Sequence, residues 1–124
     1  MAAMDLELKR AFTEMQVNKI ETTKKMKMID YQCDVLKESS KKYEITERGI
    51  TELDPNTRVY SSIGRMFVLS TVPTTREELK AKQAKCDSLV EQLNEKKSYL
   101  SKSLKEQEDH LRELVQQKKD ADAS

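Results

Sequence analysis

At 124 residues the chain is one domain long, yet 36% of it is charged and only 36% apolar, with no Trp, two Phe and two Gly. That mixture is too polar to close a compact core on itself and too periodic to be disordered, which leaves an elongated helical protein. The 23 basic and 22 acidic residues sum to a formal net charge of +1 and cancel within each half as well, so no face tracks phosphates and nucleic acid is excluded as a partner.

The opening MAAMDLELKR has no apolar signal core, and no run of about 18 apolar residues follows it. The expectation is a soluble cytoplasmic chain with no membrane partner, and a nuclear pool is left open. Over residues 5–43 a 4-3-4-3 spacing links Leu8, Phe12, Met15, Lys19, Thr22, Met26, Ile29, Cys33, Leu36, Ser40 and Tyr43, without Pro or Gly. Most of these are apolar and the residues between them polar, the pattern of a coiled-coil seam, on a helix roughly 60 Å long.

Residues 45–57 change character. Thr46 is placed to cap about two helical turns that Gly49 weakens, and Asp54-Pro55-Asn56 reads as a turn. Residues 58–71, RVYSSIGRMFVLST, are the one stretch with strand character. Gly64-Arg65 suits a two-residue type II′ loop, pairing Ile63 with Met66. Val59, Tyr60 and Ile63 lead into the loop, and Met66, Phe67, Val68 and Leu69 leave it with apolar side chains on both faces. Two strands alone are marginal in water, and exposed edges and apolar faces recruit other chains, so the hairpin is read as an assembly element, a share of an intersubunit β-barrel.

A second helix over residues 75–119 opens with Pro73, Thr74 and Thr75, followed three residues later by Glu77 and Glu78, a capping-box arrangement. Leu79, Gln83, Cys86, Val90, Leu93, Lys97, Leu100, Leu104, Gln107, Leu111 and Leu114 repeat the heptad spacing, and residues 120–124 are a polar tail. Turning back, the helices run antiparallel. The register favoured here pairs Leu8 with Leu111, Met15 with Leu104, Met26 with Leu93, Ile29 with Val90 and Cys33 with Cys86. A shift by one heptad also keeps both ladders in phase.

The favoured register sets Lys19 opposite Leu100 and Thr22 opposite Lys97, a poorly apolar zone expected to open easily. Cys33 and Cys86 in one layer read as small apolar residues of a reduced seam, ahead of a disulfide. The fold class is thus mainly α: one domain, residues 1–124, built as a long antiparallel two-helix coiled coil with a single β-hairpin at its base.

An apolar seam that frays at its free end exposes what it should bury, which makes Met4, Leu6, Leu8, Phe12, Leu111, Leu114 and Val115 candidate contacts for a client chain. Five of the six Met lie within the first 28 positions, and flexible thioethers suit surfaces that accept many apolar shapes. Nothing points to catalysis, a metal or a cofactor. His110 sits among Glu106, Glu108, Asp109 and Arg112 with no nucleophile placed beside it, and Gly49 and Gly64 are too isolated for a phosphate loop.

Long helix, hairpin with VYSSIGRMFVLS, long helix: in this order, and in DLELKRAFTEMQ and EQLNEKKSYLSKSLKEQEDHLREL, the chain resembles the β-type prefoldin subunits of eukaryotes. The resemblance implies a cytosolic hexamer of two α-type and four β-type subunits whose hairpins form a double β-barrel. It implies an ATP-independent holdase that captures unfolded chains, notably actin and tubulin, and delivers them to the cytosolic chaperonin. A coiled-coil scaffold or tether without client binding is the alternative, and the hairpin, which such a scaffold does not need, speaks against it.

Overall fold

The protein, as a computed structural model, is described over residues 2–123, with side chains from residue 6 onward. Four elements follow in chain order: α1 (Ala2–Thr51), β1 (Val59–Ile63), β2 (Met66–Ser70) and α2 (Val72–Ala123). By their internal packing the residues divide into a terminal unit, Met1–Tyr31 with Asn94–Ser124, and a central unit, Gln32–Leu93.

In the central unit α1 does not stop near residue 43, as the sequence led us to expect, but continues through Gly49 to Thr51. A mid-helix Gly costs about 1 kcal/mol. Two ion pairs partly oppose that cost, Arg48 with Glu44 within the helix and Glu47 with Arg76 of α2. Thr46, instead of capping a new helix, donates from its hydroxyl to the Lys42 carbonyl at 2.8 Å, and Arg48 pairs with Glu44 at 2.6 Å. Thr51 likewise donates to the Glu47 carbonyl at 2.8 Å. The helix end is closed by a turn in which the Thr57 amide donates to the Asp54 carbonyl at 2.9 Å and the Asn56 amide to the Asp54 carboxylate at 3.0 Å, with Pro55 supplying the preset φ.

The hairpin pairs Val59 with Ser70, Tyr60 with Leu69, Ser61 with Val68, Ser62 with Phe67 and Ile63 with Met66. Gly64 takes φ of +63° while Arg65 keeps a negative φ, the combination a type II′ loop requires. Helix α2 then begins at Val72, three residues ahead of the expected start. Thr71 is its cap: its hydroxyl accepts from the Thr74 amide at 3.3 Å and its carbonyl from the Thr75 amide at 3.0 Å. Pro73 falls in the first turn, where its missing N–H has no helical partner to lose.

Within the central unit the two helix segments lie antiparallel, with Cys33, Ser40, Val72 and Cys86 buried between them. Ser40 donates from its hydroxyl to Asp87 at 2.9 Å, Lys82 sits 5.9 Å from the centroid of the Tyr43 ring, and Arg76 pairs with Glu47 at 3.1 Å. These pairs correct the register. Cys86 lies at the level of Ser40, one heptad away from Cys33, so roughly 10 Å of helix rise separates their layers. Neither cysteine is in a disulfide.

The terminal unit carries the same correction. Lys19 pairs with Glu108 at 3.5 Å and Asp30 with Lys97 at 2.6 Å, where Leu100 and Thr22 were the partners expected for Lys19 and Lys97. The physical reason lies in the ends of the helices. With α1 carrying another heptad past residue 43, the point at which the chain doubles back moves toward the C-terminus and the ladder pairing moves with it; the earlier start of α2 offsets only part of this.

The seam of α1 in this unit also differs in phase. Its buried and half-buried positions are Leu8, Ala11, Met15, Asn18, Thr22, Met26 and Ile29. Two consecutive four-residue steps, Asn18 to Thr22 to Met26, form a stutter. N-terminal to it, Ala11 and Asn18 replace the expected Phe12 and Lys19, which are exposed. A strict seven-residue repeat drifts about 20° per heptad on a straight helix, and a stutter resets that drift by locally unwinding the pair.

Candidate functional site

No cavity dominates the described residues; what stands out is apolar side chain left in water. It is densest on the hairpin. Alternation along each strand puts Tyr60, Ser62, Phe67 and Leu69 on one face and Val59, Ser61, Ile63, Met66 and Val68 on the other. The second face is partly covered near its start, where Val59, Ser61 and Ser70 are half-buried. On the first face Tyr60, Phe67 and Leu69 are all exposed, Phe67 to 75% of its surface. Within the described chain each strand pairs only with the other, so the outer edge of each offers its N–H and C=O groups unpaired.

The other expected site falls in the terminal unit. Leu6 is exposed, and Phe12, at 48% exposed, lines a shallow groove with Leu8, Leu111 and Val115. On the other flank Leu8 and Ala11 line a second shallow groove with Leu114 and Lys118. Leu111 is only 7% exposed, so it serves the contact between the helices first, while Leu8, Leu114 and Val115 are half-buried. Met4 lies outside the residues whose side chains are described. Of the positions read as seam from sequence alone, Ile29, Cys33 and Cys86 are buried and Met15, Met26, Leu36, Leu79, Val90, Leu93, Leu100 and Leu104 half-buried, whereas Phe12 and Lys19 are exposed.

One apolar set escaped the sequence reading. On α1 of the terminal unit Val17, Ile20, Met28 and Tyr31 are all exposed. They stand two residues beyond successive seam positions, roughly 200° around the helix and therefore on the face turned away from α2. A search for a second row parallel to the seam finds them; a search for one seam assigns them to solvent.

The Arg76 guanidinium hydrogen-bonded to Glu47 holds its carboxyl below the usual glutamate value, against an opposing effect of burial. Among the described residues no group of His, Cys, Asp and Glu is placed to hold a metal ion, and no helix is long and apolar enough to cross a membrane.

Comparison with known proteins bears directly on this arrangement. A family model described as "Prefoldin subunit" matches residues 13–118. The human protein named "Prefoldin subunit 1" is 40% identical over 114 residues, spanning 92% of this chain and 93% of its own. "Probable prefoldin subunit 1" of Caenorhabditis elegans is 36% identical over 123 residues, 93% of this chain and 98% of its own. In fold, the crystal structure of the prefoldin beta subunit from Thermococcus strain KS-1 superposes with a TM-score of 0.69, covering 86% of this chain and 90% of that one at 16% identity. With two helices, one hairpin and this degree of identity along nearly its whole length, the chain belongs to the prefoldin subunit family.

Proposed function

We propose that the chain is one β-type subunit of a heterohexameric prefoldin, an ATP-independent co-chaperone that holds unfolded or nascent polypeptides. In this reading its hairpin joins those of the other subunits, two α-type and four β-type in all, in a shared β-barrel. The observation that carries the reading is the hairpin surface, with apolar side chains on both faces, Phe67 75% exposed, and two unpaired edges. A monomer gains nothing from such a surface, whereas a closed intersubunit sheet buries the faces and satisfies the edges together.

The clients proposed are actin and tubulin chains, passed on to the cytosolic chaperonin in the cytoplasm. Contacts at Leu6, Leu8, Phe12, Leu114 and Val115, with Met4 and Leu111 as helix ends part, are each small. Several subunits acting on one client convert weak contacts into useful retention through effective concentration. No nucleotide or metal is required, because release needs only a better acceptor.

The test is aggregation of a denatured client diluted into buffer, followed by light scattering, with and without the assembled complex. Suppression at near-stoichiometric complex is the expected result. If the complex assembles and scattering is unchanged, the holdase reading fails and a scaffold remains. Removing residues 1–8 and everything from Leu111 onward is expected to spare assembly and weaken capture.

A further inference from the structure

Val17, Ile20, Met28 and Tyr31 form a row with Lys24 at its centre, and its steps of three, four, four and three residues copy those of the seam on the opposite face. The row does nothing for the helix pair, since it faces away from α2, yet Ile20 is 58% and Tyr31 70% exposed. The corresponding outward face of α2 provides an internal comparison: apart from Tyr99 it carries Lys102, Glu106, Asp109 and Glu113. A surface helix normally looks like α2 here; α1 is apolar on two opposite faces.

We propose that this outward row of α1 is a docking surface for an acidic amphipathic helix of a partner polypeptide. Three features specify the occupant. The spacing continues the geometry by which one helix receives another, apolar side chains recurring at three and four residues along a narrow line. Between residues 17 and 31 the charge beside that line is basic: Lys24 and Lys27, with no ion-pair partner among the described residues, outnumber Glu21, while Lys19 and Asp30 are engaged with Glu108 and Lys97. A second copy of this chain would bring the same lysines against them and be repelled. Acidic groups flanking the partner's apolar stripe would instead meet Lys24 and Lys27 and steer the encounter. Met28 adds an adaptable contact and Tyr31 a large amphipathic one.

This surface shares no residue with the hairpin or with the candidate client contacts at the helix ends, and it does not depend on the holdase reading. The experiment uses the full chain in its assembled complex and a labelled peptide, long enough to be helical, with Leu at heptad spacing and Glu at the flanking positions. A counterpart carries Lys for every Glu. Fluorescence anisotropy is expected to give at least a roughly tenfold preference for the acidic peptide, falling as salt rises. Ile20→Ser with Tyr31→Ser is expected to weaken it roughly tenfold or more, and Lys24→Glu with Lys27→Glu to abolish the preference between peptides. Both pairs are exposed, so circular dichroism is expected to be unchanged, and suppression of client aggregation reports the holdase activity separately.

Equal affinity for both peptides, or undiminished binding by the Ser pair, overturns the proposal. So does binding of the complex to phosphatidylserine-containing vesicles, lost in the Ser pair, with no binding of the acidic peptide; the row would then be a membrane contact.

Discussion

The side-chain amide of Asn18 donates to the Oε1 of Gln107 across the two helices of the terminal unit. Both residues sit in the seam, beside the stutter, and each is the other's partner there. Heptad ladders of Leu, Met and Ile are nearly indifferent to a shift by seven residues, but this pair is not. In the alternative register Asn18 would face the level of Leu100, and Gln107 that of Ala11 and Phe12. An amide left unpaired in a seam costs about 1–3 kcal/mol, enough to decide between registers that are otherwise close.

Replacing both amides, Asn18→Leu with Gln107→Leu, is therefore expected to keep or raise the melting temperature while admitting the shifted register. The measurement is thiol cross-linking with a short bifunctional reagent in a background where Cys33 and Cys86 are Ser. Cysteines at Lys19 and Glu108, which pair at 3.5 Å, report the observed register, and cysteines at Lys19 and Ser101 report the shifted one. With the amides present only the first pair is expected to link; with Leu at both sites, both pairs. A double variant that links through the first pair alone would show the register to be set elsewhere.

Phe67→Asp is expected to stop co-purification with the other subunits and leave helicity intact. The side chain is 75% exposed in the isolated chain, so a carboxylate there is hydrated at little cost to the hairpin or helices. In a closed sheet the same carboxylate would be buried without a partner, at a penalty of several kcal/mol. A complex of unchanged mass containing the Asp variant would remove the hairpin from the assembly interface.

Legibility in the sequence divides along physical lines. The hairpin was readable because Gly64 in a two-residue loop and alternating apolar residues are local signals, and Ile63 pairs with Met66 as the loop chemistry dictates. The existence of two helices followed from periodicity over many residues. Their ends did not: Gly49 is a breaker by propensity, yet α1 runs through it to Thr51, with Arg48 paired to Glu44 and Glu47 to Arg76. The register was ambiguous because apolar side chains carry no direction, and the polar pairs that resolve it become visible only once the helices are side by side. A strict repeat places Phe12 in the seam and the stutter breaks that repeat, while the row at Val17, Ile20, Met28 and Tyr31 carries no signal as long as one seam accounts for the helix.

Glu47 and Arg76 tie α1 to α2 in the central unit at 3.1 Å, and the partnership lowers the Glu47 pKa. The sign follows from linkage. A carboxylate held below its unfolded value, about 4.3 for glutamate, binds fewer protons in the native chain, so its stabilisation is fully present above that value and is lost as pH falls through the lower native one. Urea unfolding of the native chain and Glu47→Gln is expected to show the variant less stable at pH 7 and the gap closing in strong acid. A gap independent of pH would mean that the Gln variant acts through packing rather than charge.

Ile20 and Ile29 lie on the same helix and meet opposite fates on substitution. Ile29 is 4% exposed in the seam, so Ile29→Ala removes buried methylenes and leaves space that α2 fills only partly, a loss of about 2–4 kcal/mol after the better helix propensity of Ala is allowed for. Ile20 is 58% exposed on the outward row, where the same change forfeits almost no burial and gains propensity, so its effect on unfolding is expected within about 0.5 kcal/mol of zero. Urea titration of the two variants side by side is the measurement. A loss at Ile20 as large as that at Ile29 would mean that the outward row is covered by the chain itself. A neutral Ile20→Ala leaves its apolar exposure unexplained by stability, as a docking surface requires.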